Sequence, residues 1–416
     1  MKYRHRLLIL LFLFAMLTFL DRVCISVAGP AIQKDLALDP KKWGWVVGMF
    51  ALAYAAFEIP SGWLGDRIGP RKVLTRIVLW WSVFTAATGA VFGYSQLLLC
   101  RFAFGVGEAG AFPNASVAIA RWFPAAERAR AQGAIWTATR LGATLSPVLV
   151  VPIQARYGWR ASFWIFGAIG VFWALVWWLW FRDLPSQKAG ISRGELEEIG
   201  ADASIGRRAT VPWRMALRSR SIQGILAMYF CYCYSAYFFI SWLHTYLVKG
   251  RGFTPAELAI FSPLPFLCGA FSNALGGIAS DHLARRWGLK WGRRCIGVAG
   301  LTGSALCMFF AAFSTGKMEA ITLLTMAYAC SDLMLPSAWA VCLDVGKRYA
   351  GSITGMMNTA GQIGSFLSSV TFGYFVSAFH SYDLPLIPIG FMLLVSASQW
   401  LRIDPTQELP AERTES

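Results

Sequence analysis

The chain has 416 residues, 56% of them hydrophobic and only 14% charged, with a mean hydropathy of +0.50. Soluble globular proteins carry about 25% charged residues, so this balance excludes an ordinary soluble domain and describes a polytopic membrane protein. The apolar runs are long and continuous rather than alternating, which favours helices over a barrel, and the net charge of +16 falls mainly in alternate loops rather than on a nucleic-acid-binding face.

The first residues, MKYRHRLLILLFLFAMLTFL, imitate a signal peptide. No small-residue cleavage site follows and the apolar character resumes after Arg22, so the segment reads as a retained first helix. Apolar windows then predict twelve spans of about 20 residues, the length that crosses a bilayer. They fall near 7–32, 43–65, 73–93, 96–120, 130–155, 160–181, 221–247, 257–280, 294–314, 319–343, 351–378 and 385–402. With the N-terminus inside, 27 of the 38 Lys and Arg fall on the cytoplasmic side and 8 outside, while Arg22, Arg101 and Arg140 lie within spans. That asymmetry predicts both termini in the cytoplasm.

The expected organisation is an all-α membrane protein of twelve helices in two six-helix pseudo-repeats. Residues 1–181 form the N-terminal bundle, 182–220 a cytoplasmic linker with amphipathic pieces, 221–403 the C-terminal bundle and 404–416 a tail. The nine cysteines lie in or beside apolar segments and read as small buried hydrophobes. No nucleotide-binding glycine loop and no zinc-ligand spacing occurs, so an ATP-driven pump, a cofactor and an enzyme all lack support.

An internal repeat supports the division. GWLGDRIGPRK runs from Gly62 to Lys72, and GIASDHLARRWGLKWGRR from Gly277 to Arg294; each has Gly-x-x-x-Asp, ending on Asp66 or Asp281, and then a basic cluster. The first copy, with Gly62, Asp66, Arg67, Gly69, Arg71 and Lys72, resembles the loop signature of the major facilitator superfamily. That resemblance covers essentially the whole chain. It implies alternating access about a site near the membrane midplane, gated at these loops, and it does not name the substrate.

Ionisable side chains within spans are costly, about 2.5–3.5 kcal/mol each on the lenient scale, and so are functional candidates. Asp21 and Arg22 interrupt span 1. As neighbours they diverge by about 100° and cannot simply pair with each other. In span 4, RFAFGVGEAGAFPNAS places Arg101 and Glu108 two turns apart on one face. The Asp-Arg pair together with Arg101, Glu108, Ala109, Phe112 and Pro113 resembles a narrower group, the anion:cation symporter family of sugar-acid and organic-anion transporters. By that resemblance Arg22 binds the substrate carboxylate, and Asp21 and Glu108 exchange protons, with Arg101 beside them. A buried guanidinium stays charged and offers a fork that matches a carboxylate.

Polar stripes at helical spacing add Tyr54 and Glu58 in span 2, Arg140 in span 5, Tyr234, Tyr237 and His244 in span 7, Asp332, Ser337 and Trp339 in span 10, and Asn358 and Gln362 in span 11. The set suits a polyhydroxylated ligand, and Tyr54, Trp339 and Asn358 match family positions that line the substrate site. Glu58, His244 and Asp332 depart from the family pattern. His244 reads as an interfacial histidine; Asp332, central and ionisable, reads as a coupling candidate with Arg140 or a hydroxyl as partner.

The expected function is proton-driven import of a small carboxylated organic anion such as an aldonate, hexuronate or aldarate, by a monomer in a bacterial inner membrane, with protons and the lipid bilayer as its other partners. An organophosphate:phosphate antiporter is the alternative, and a non-transporting membrane sensor a third.

Overall fold

The structure, a computed structural model, describes residues 2–199, 217–346 and 350–407. The described residues are helical with short connections, and they divide into two compact units, Met1–Gly206 and Arg207–Ser416.

In the first unit the helices are α1 (Tyr3–Asp35), α2 (Pro40–Ile68), α3 (Pro70–Thr88), α4 (Tyr94–Glu108), α5 (Ala111–Trp122), α6 (Ala125–Tyr157), α7 (Trp159–Trp180) and the short α8 (Arg193–Ile199). The second has α9 (Arg220–Ser241), α10 (Leu243–Thr245), a π-helical turn Tyr246–Gly250, α11 (Pro255–Phe261), α12 (Leu264–Phe313), α13 (Lys317–Gly346), α14 (Ala350–Phe379) and α15 (Leu386–Gln399). Six stretches of the described residues are long and apolar enough to cross a membrane. Fewer than twelve qualify partly because breaks shorten some spans (α4 and α5 form one) and partly because α12 carries two spans under one label.

That last point corrects the expected loop Gly277–Arg294. The chain stays helical up to and beyond Gly288, where φ 83 and ψ 159 turn it back on itself. Gly69, between α2 and α3, holds nearly the same conformation, φ 86 and ψ 151. This left-handed, extended corner is open almost only to glycine. Both segments therefore contain a glycine corner, at Gly69 and at Gly288. The side chains of Asp66 and Arg67, and Gly62, lie outside the described residues.

Each unit packs its helices in the same pairs. In the first, α1 lies on α6, α2 on α4 and α3 on α7; in the second, α9 lies on α14, the first half of α12 on α13 and its second half on α15. The first seam is tight in both. A Cβ on Gly142 would sit 2.0 Å from the Met16 carbonyl oxygen, and one on Gly364 2.3 Å from that of Phe230. Backbones approach this closely in membranes because small residues let dispersion contacts replace the absent hydrophobic drive.

Ion pairs tie the helix ends together. Arg160 at the start of α7 donates to Asp35 at the end of α1 (2.6 Å) and to the Val91 carbonyl after α3 (3.1 Å). In the second unit Arg251 donates to Asp383 (2.7 Å) and to the Ser314 carbonyl (2.8 Å). The same three helix ends are joined in each, with acid and base exchanged. At the opposite ends, Asp183 accepts from the Arg71 amide that starts α3 (2.9 Å), and Asp404 pairs with Lys290 (2.6 Å). Burial opposes the charge on Asp404, but hydrogen bonds from Lys290 and Thr406 outweigh it and hold its pKa at about 2.

The expected linker contains α8, which is docked on the N-terminus of α1. Glu195 accepts from the amides of Tyr3 (3.1 Å) and Arg4 (3.0 Å), two donors that a helix start leaves without intrahelical partners. Glu198 pairs with Lys2 and with Arg4, and Arg4 also reaches Glu127 on α6. The hydrogen bond from Lys2, then that from Arg4, holds the Glu198 carboxyl below its usual range. A depressed carboxylate pKa contributes stability that is present above the unfolded value and is lost as pH falls through the folded value. Acidification below roughly pH 4 should therefore release α8, read as faster amide exchange in 193–199 and at Tyr3 and Arg4 while the rest of the unit stays protected.

Candidate functional site

Four of the expected charged residues come together in the first unit. Asp21, Arg22, Arg101 and Glu108 are all buried, and Glu108 has no exposed surface at all. Arg22 Nε donates to Glu108 Oε1 at 2.5 Å. One turn of α1 separates Arg22 from Ser26, and the neighbouring α1 residue, Asp21, points elsewhere, within electrostatic reach of Glu108 and Arg101. Asp21 Oδ1 and Glu108 Oε2 are buried with no hydrogen-bond partner among the described residues. Each acid thus keeps one oxygen uncommitted.

Aromatic rings enclose the guanidinium. The Arg22 Cζ lies 4.8 Å from the Tyr54 ring centre, 5.1 Å from those of Phe19 and Phe50, and 5.8 Å from that of Phe112. Arg101 sits on Phe50 and Phe104 at 5.1 and 4.9 Å. Ring faces attract a cation by about 0.5–2 kcal/mol each without neutralising it, so the charge stays available to an anion. Phe112 continues the box to α6, where it stacks on Trp136 at 5.3 Å and 8°. Arg140, buried, stands one turn beyond Trp136.

The helix break beside Glu108 is a feature that periodicity does not reveal. Span 4 is not one helix: α4 ends at Glu108, Ala109 is extended, and Gly110 is left-handed at φ 82 before α5 begins. The Asn114 amide holds the corner, donating to the Gly110 carbonyl (2.7 Å) and to that of Ser61 (3.4 Å). Ser61 Oγ in turn accepts from Arg76 (3.0 Å). The stretch EAGAFPN did carry a signal. Pro113 falls in the first turn of α5, where a missing N–H costs nothing.

The second unit gathers a different set. Asp332 has no exposed surface and accepts from the Tyr232 hydroxyl at 3.1 Å. One partner is thus a hydroxyl of the second unit, from an α9 tyrosine that the sequence reading did not single out. Tyr234 instead meets Thr371 (2.7 Å), because two residues along a helix point about 200° apart. Tyr237, also buried, lies further along α9. Tyr229 packs against Tyr232 with the rings tilted at 37° and meets the Trp339 ring edge-on at 6.4 Å, which brings Trp339 to the same cluster. Asn358 and Gln362 are half-buried one turn apart on α14.

Two expectations are corrected. Ser337 does not join this cluster: it donates to Ser280 (2.9 Å), which also takes Arg293, the partner of Asp281. It belongs with the loop motif. His244 is fully buried rather than interfacial, because α9 breaks at Trp242 and the chain passes through α10 into a π-helical turn.

Comparison with known proteins fits this geometry. The sequence profile of the Major Facilitator Superfamily matches residues 11–369. The chain belongs to the major facilitator superfamily. It is 36% identical to a probable sulfoacetate transporter, SauU, of Cupriavidus necator, over 99% of this chain and 97% of that protein. It is 30% identical to a hexuronate transporter of Bacillus subtilis (88% and 87% covered) and to a probable galactarate/D-glucarate transporter, GudP, of Escherichia coli (96% and 92%). A crystal structure of a bacterial homolog of the lysosomal transporter Spinster superposes with TM-score 0.79 at 21% identity, covering 97% and 98%, and shows the shared fold. The chain is thus a membrane-embedded transporter of the sugar-acid and organic-anion branch, not an enzyme.

Gly110→Ala tests the corner. The new Cβ would lie 2.5 Å from Ser61 Oγ on a backbone that L-residues avoid, a strain of roughly 1–3 kcal/mol. Thermal stability in detergent should fall, and transport should fall more than tenfold in the fraction that remains folded, because Glu108 moves off Arg22.

Proposed function

We propose that the chain imports a small organic anion together with protons, with access alternating between the two sides of a bacterial inner membrane. Arg22 takes the substrate carboxylate, and Glu108 and Asp21 carry protons, with Arg101 setting their field. The Arg22–Glu108 pair carries this reading. A carboxylate substrate must compete with Glu108 for the same guanidinium. Protonation of Glu108 withdraws the internal competitor and frees the fork of Arg22. Anion binding and proton uptake are then one linked event, and the 27-to-8 distribution of basic residues supports cytoplasmic termini.

Among the described residues, Arg22, Arg101 and Arg140 and the acids Asp21, Glu58 and Glu108 are the buried ionisable groups well inside the spans of the first unit. Fully ionised, the two sets balance. An arriving anion upsets the balance in a medium where uncompensated charge is costly, so each added negative charge calls for one proton. The names of two relatives, sulfoacetate and galactarate/D-glucarate, describe molecules with two acidic groups. Arg140, one turn from the Trp136–Phe112 stack, is our candidate for the second of these groups. In the second unit Tyr232, Tyr234, Tyr237, Trp339, Asn358 and Gln362 supply neutral donors, Asp332 is a further ionisable site, and the protein works as a monomer without a cofactor.

Proteoliposomes would be offered labelled sulfoacetate, aldarates, aldonates and hexuronates beside the matching neutral sugars. Uptake of an acid should collapse with a protonophore and not with removal of sodium. Arg22→Gln should reduce it by roughly 10²–10³-fold, as loss of one partner of a buried ion pair does. Glu108→Gln should keep anion binding, weaken its dependence on pH and reduce uphill accumulation. Uptake of neutral sugars, or a gradient-independent wild type, defeats the proposal.

Arg140→Gln separates the two roles of charge. It should lower uptake of dianions at least tenfold relative to monoanions, measured as the ratio of kcat/KM values. An unchanged ratio removes Arg140 from the substrate site.

A further inference from the structure

Four cations crowd the last turn of α7, and the transport chemistry uses none of their charges. Arg71 Nε and Nη2 reach the Trp178 carbonyl at 3.2 and 2.7 Å. Arg182 reaches those of Leu179 and Phe181 at 3.1 and 2.8 Å, and Lys188 that of Trp180 at 2.6 Å. Arg6 arrives from α1 through a stack: its Cζ is 5.0 Å from the Tyr3 ring, Tyr3 lies on Trp180 at 6.3 Å, and Lys188 covers the Trp180 ring at 4.4 Å. Arg71 likewise covers Trp178, at 4.4 Å.

A helix C-terminus attracts cations, but its partial charge is about half an electron and does not balance four. Among the described residues the acid at this end, Asp183, is engaged with the Arg71 amide and with Arg121 (3.7 Å). Burial first, and then the like charges of Arg182, Arg6 and Arg71, lower the pKa of Lys188. The cluster has an excess of positive charge that a diffuse anion between its members would relieve.

An apolar lane leads to it. Phe172, Leu175 and Leu179 follow one another at helical spacing on α7 and are 67%, 54% and 64% exposed; Trp178 is 39% exposed at the lane's end. In a membrane-embedded chain such a stripe faces acyl chains, and tryptophan marks the headgroup level. We propose that the end of α7 is a binding site for an anionic phospholipid, whose phosphodiester is held by Arg6, Arg182 and Lys188 beside Arg71, and whose chains lie along Phe172, Leu175 and Leu179. The combination specifies the ligand: the cations select a phosphate, and the lane requires that it carry acyl chains. Because Arg71 also starts α3 after the Gly69 corner, the lipid would brace the loop motif.

The test uses the full chain in phosphatidylcholine nanodiscs, titrated with phosphatidylglycerol bearing brominated chains, with tryptophan quenching as the readout. The expected result is saturable quenching at low mole fraction that brominated phosphatidylcholine does not reproduce. Each basic side chain near a headgroup is worth a factor of about five, so R6Q/R182Q/K188Q should weaken the interaction roughly a hundredfold. Equal quenching by both lipids, or an unaltered affinity in the triple variant, overturns the proposal. If the variant does not fold, the wild type decides: native mass spectrometry should retain phosphatidylglycerol over phosphatidylcholine after detergent exchange, and no preference overturns the site. Displacement of the lipid by millimolar inorganic phosphate would mean a free-anion site and likewise overturns it.

Discussion

A guanidinium buried among aromatic rings needs an anionic partner, and the first unit supplies one to Arg22. Arg22 is answered by Glu108 and by four ring faces. For the carboxylate to reach it, α4 must stop at Glu108 and the chain must turn through Gly110 before helix resumes. The corner in turn is braced by Asn114, whose side-chain amide donates to the Gly110 carbonyl and to that of Ser61 on α2. A single buried charge therefore dictates a helix break, a left-handed glycine and a side-chain brace, all within the same few residues. Removing one partner of such a pair costs about 3–5 kcal/mol, which is why the surroundings are built to hold both.

The rest of the architecture is a scaffold of paired helices around these buried groups. The two units share one pairing plan, and each is fastened at both ends of its helices. The fastenings have a common geometry with unlike residues. Asp35 on the first helix of one unit meets Arg160 on the last, whereas Arg251 beyond the first helix of the other meets Asp383 before the last. An ion pair keeps its function when its members trade places, since only the sum of the two charges matters to the join. The glycine corners at Gly69 and Gly288 behave oppositely: the backbone conformation admits one residue type, so the residue recurs along with the geometry.

That contrast explains what was legible in the sequence. Spans were readable because hydropathy is averaged over about 20 residues, whereas the paired corners were not, because a repeat aligned on Gly-x-x-x-Asp puts Gly69 and Gly288 at different distances from the aspartate. Intramembrane charges stood out because they are expensive. The swapped fastenings were invisible, because comparing the repeats position by position looks for identity rather than for complementary charge. The break at Gly110 was lost in the same averaging that found the span, although Pro113 marked the start of α5. Choosing among Tyr232, Tyr234 and Tyr237 needed the rotation of α9 about its axis, which an apolar helix with a polar stripe leaves open by one residue. Ser337 was misread for a similar reason: it shares a helix with Asp332 but lies more than a turn further on, beside Ser280. His244 followed from a helix irregularity that no composition signals.

Glu108 and Asp332, two acids buried within the spans, differ in what a proton does to them. Glu108 accepts from a guanidinium, so protonation removes the charge that makes the pair strong and leaves Arg22 in need of another anion. Asp332 accepts from a neutral tyrosine hydroxyl, and a carboxyl oxygen can accept that bond whether or not the group is ionised. Protonation therefore rearranges the first cluster and leaves the hydrogen bonding of the second in place. On the function proposed above, proton sensing is concentrated at the buried Arg22–Glu108 contact. The neutral donors around Asp332 can then recognise the substrate's shape without answering to the gradient, and a chain that changed its preferred acid would need to alter those donors and Arg140 while keeping Arg22, Glu108 and the corner between them.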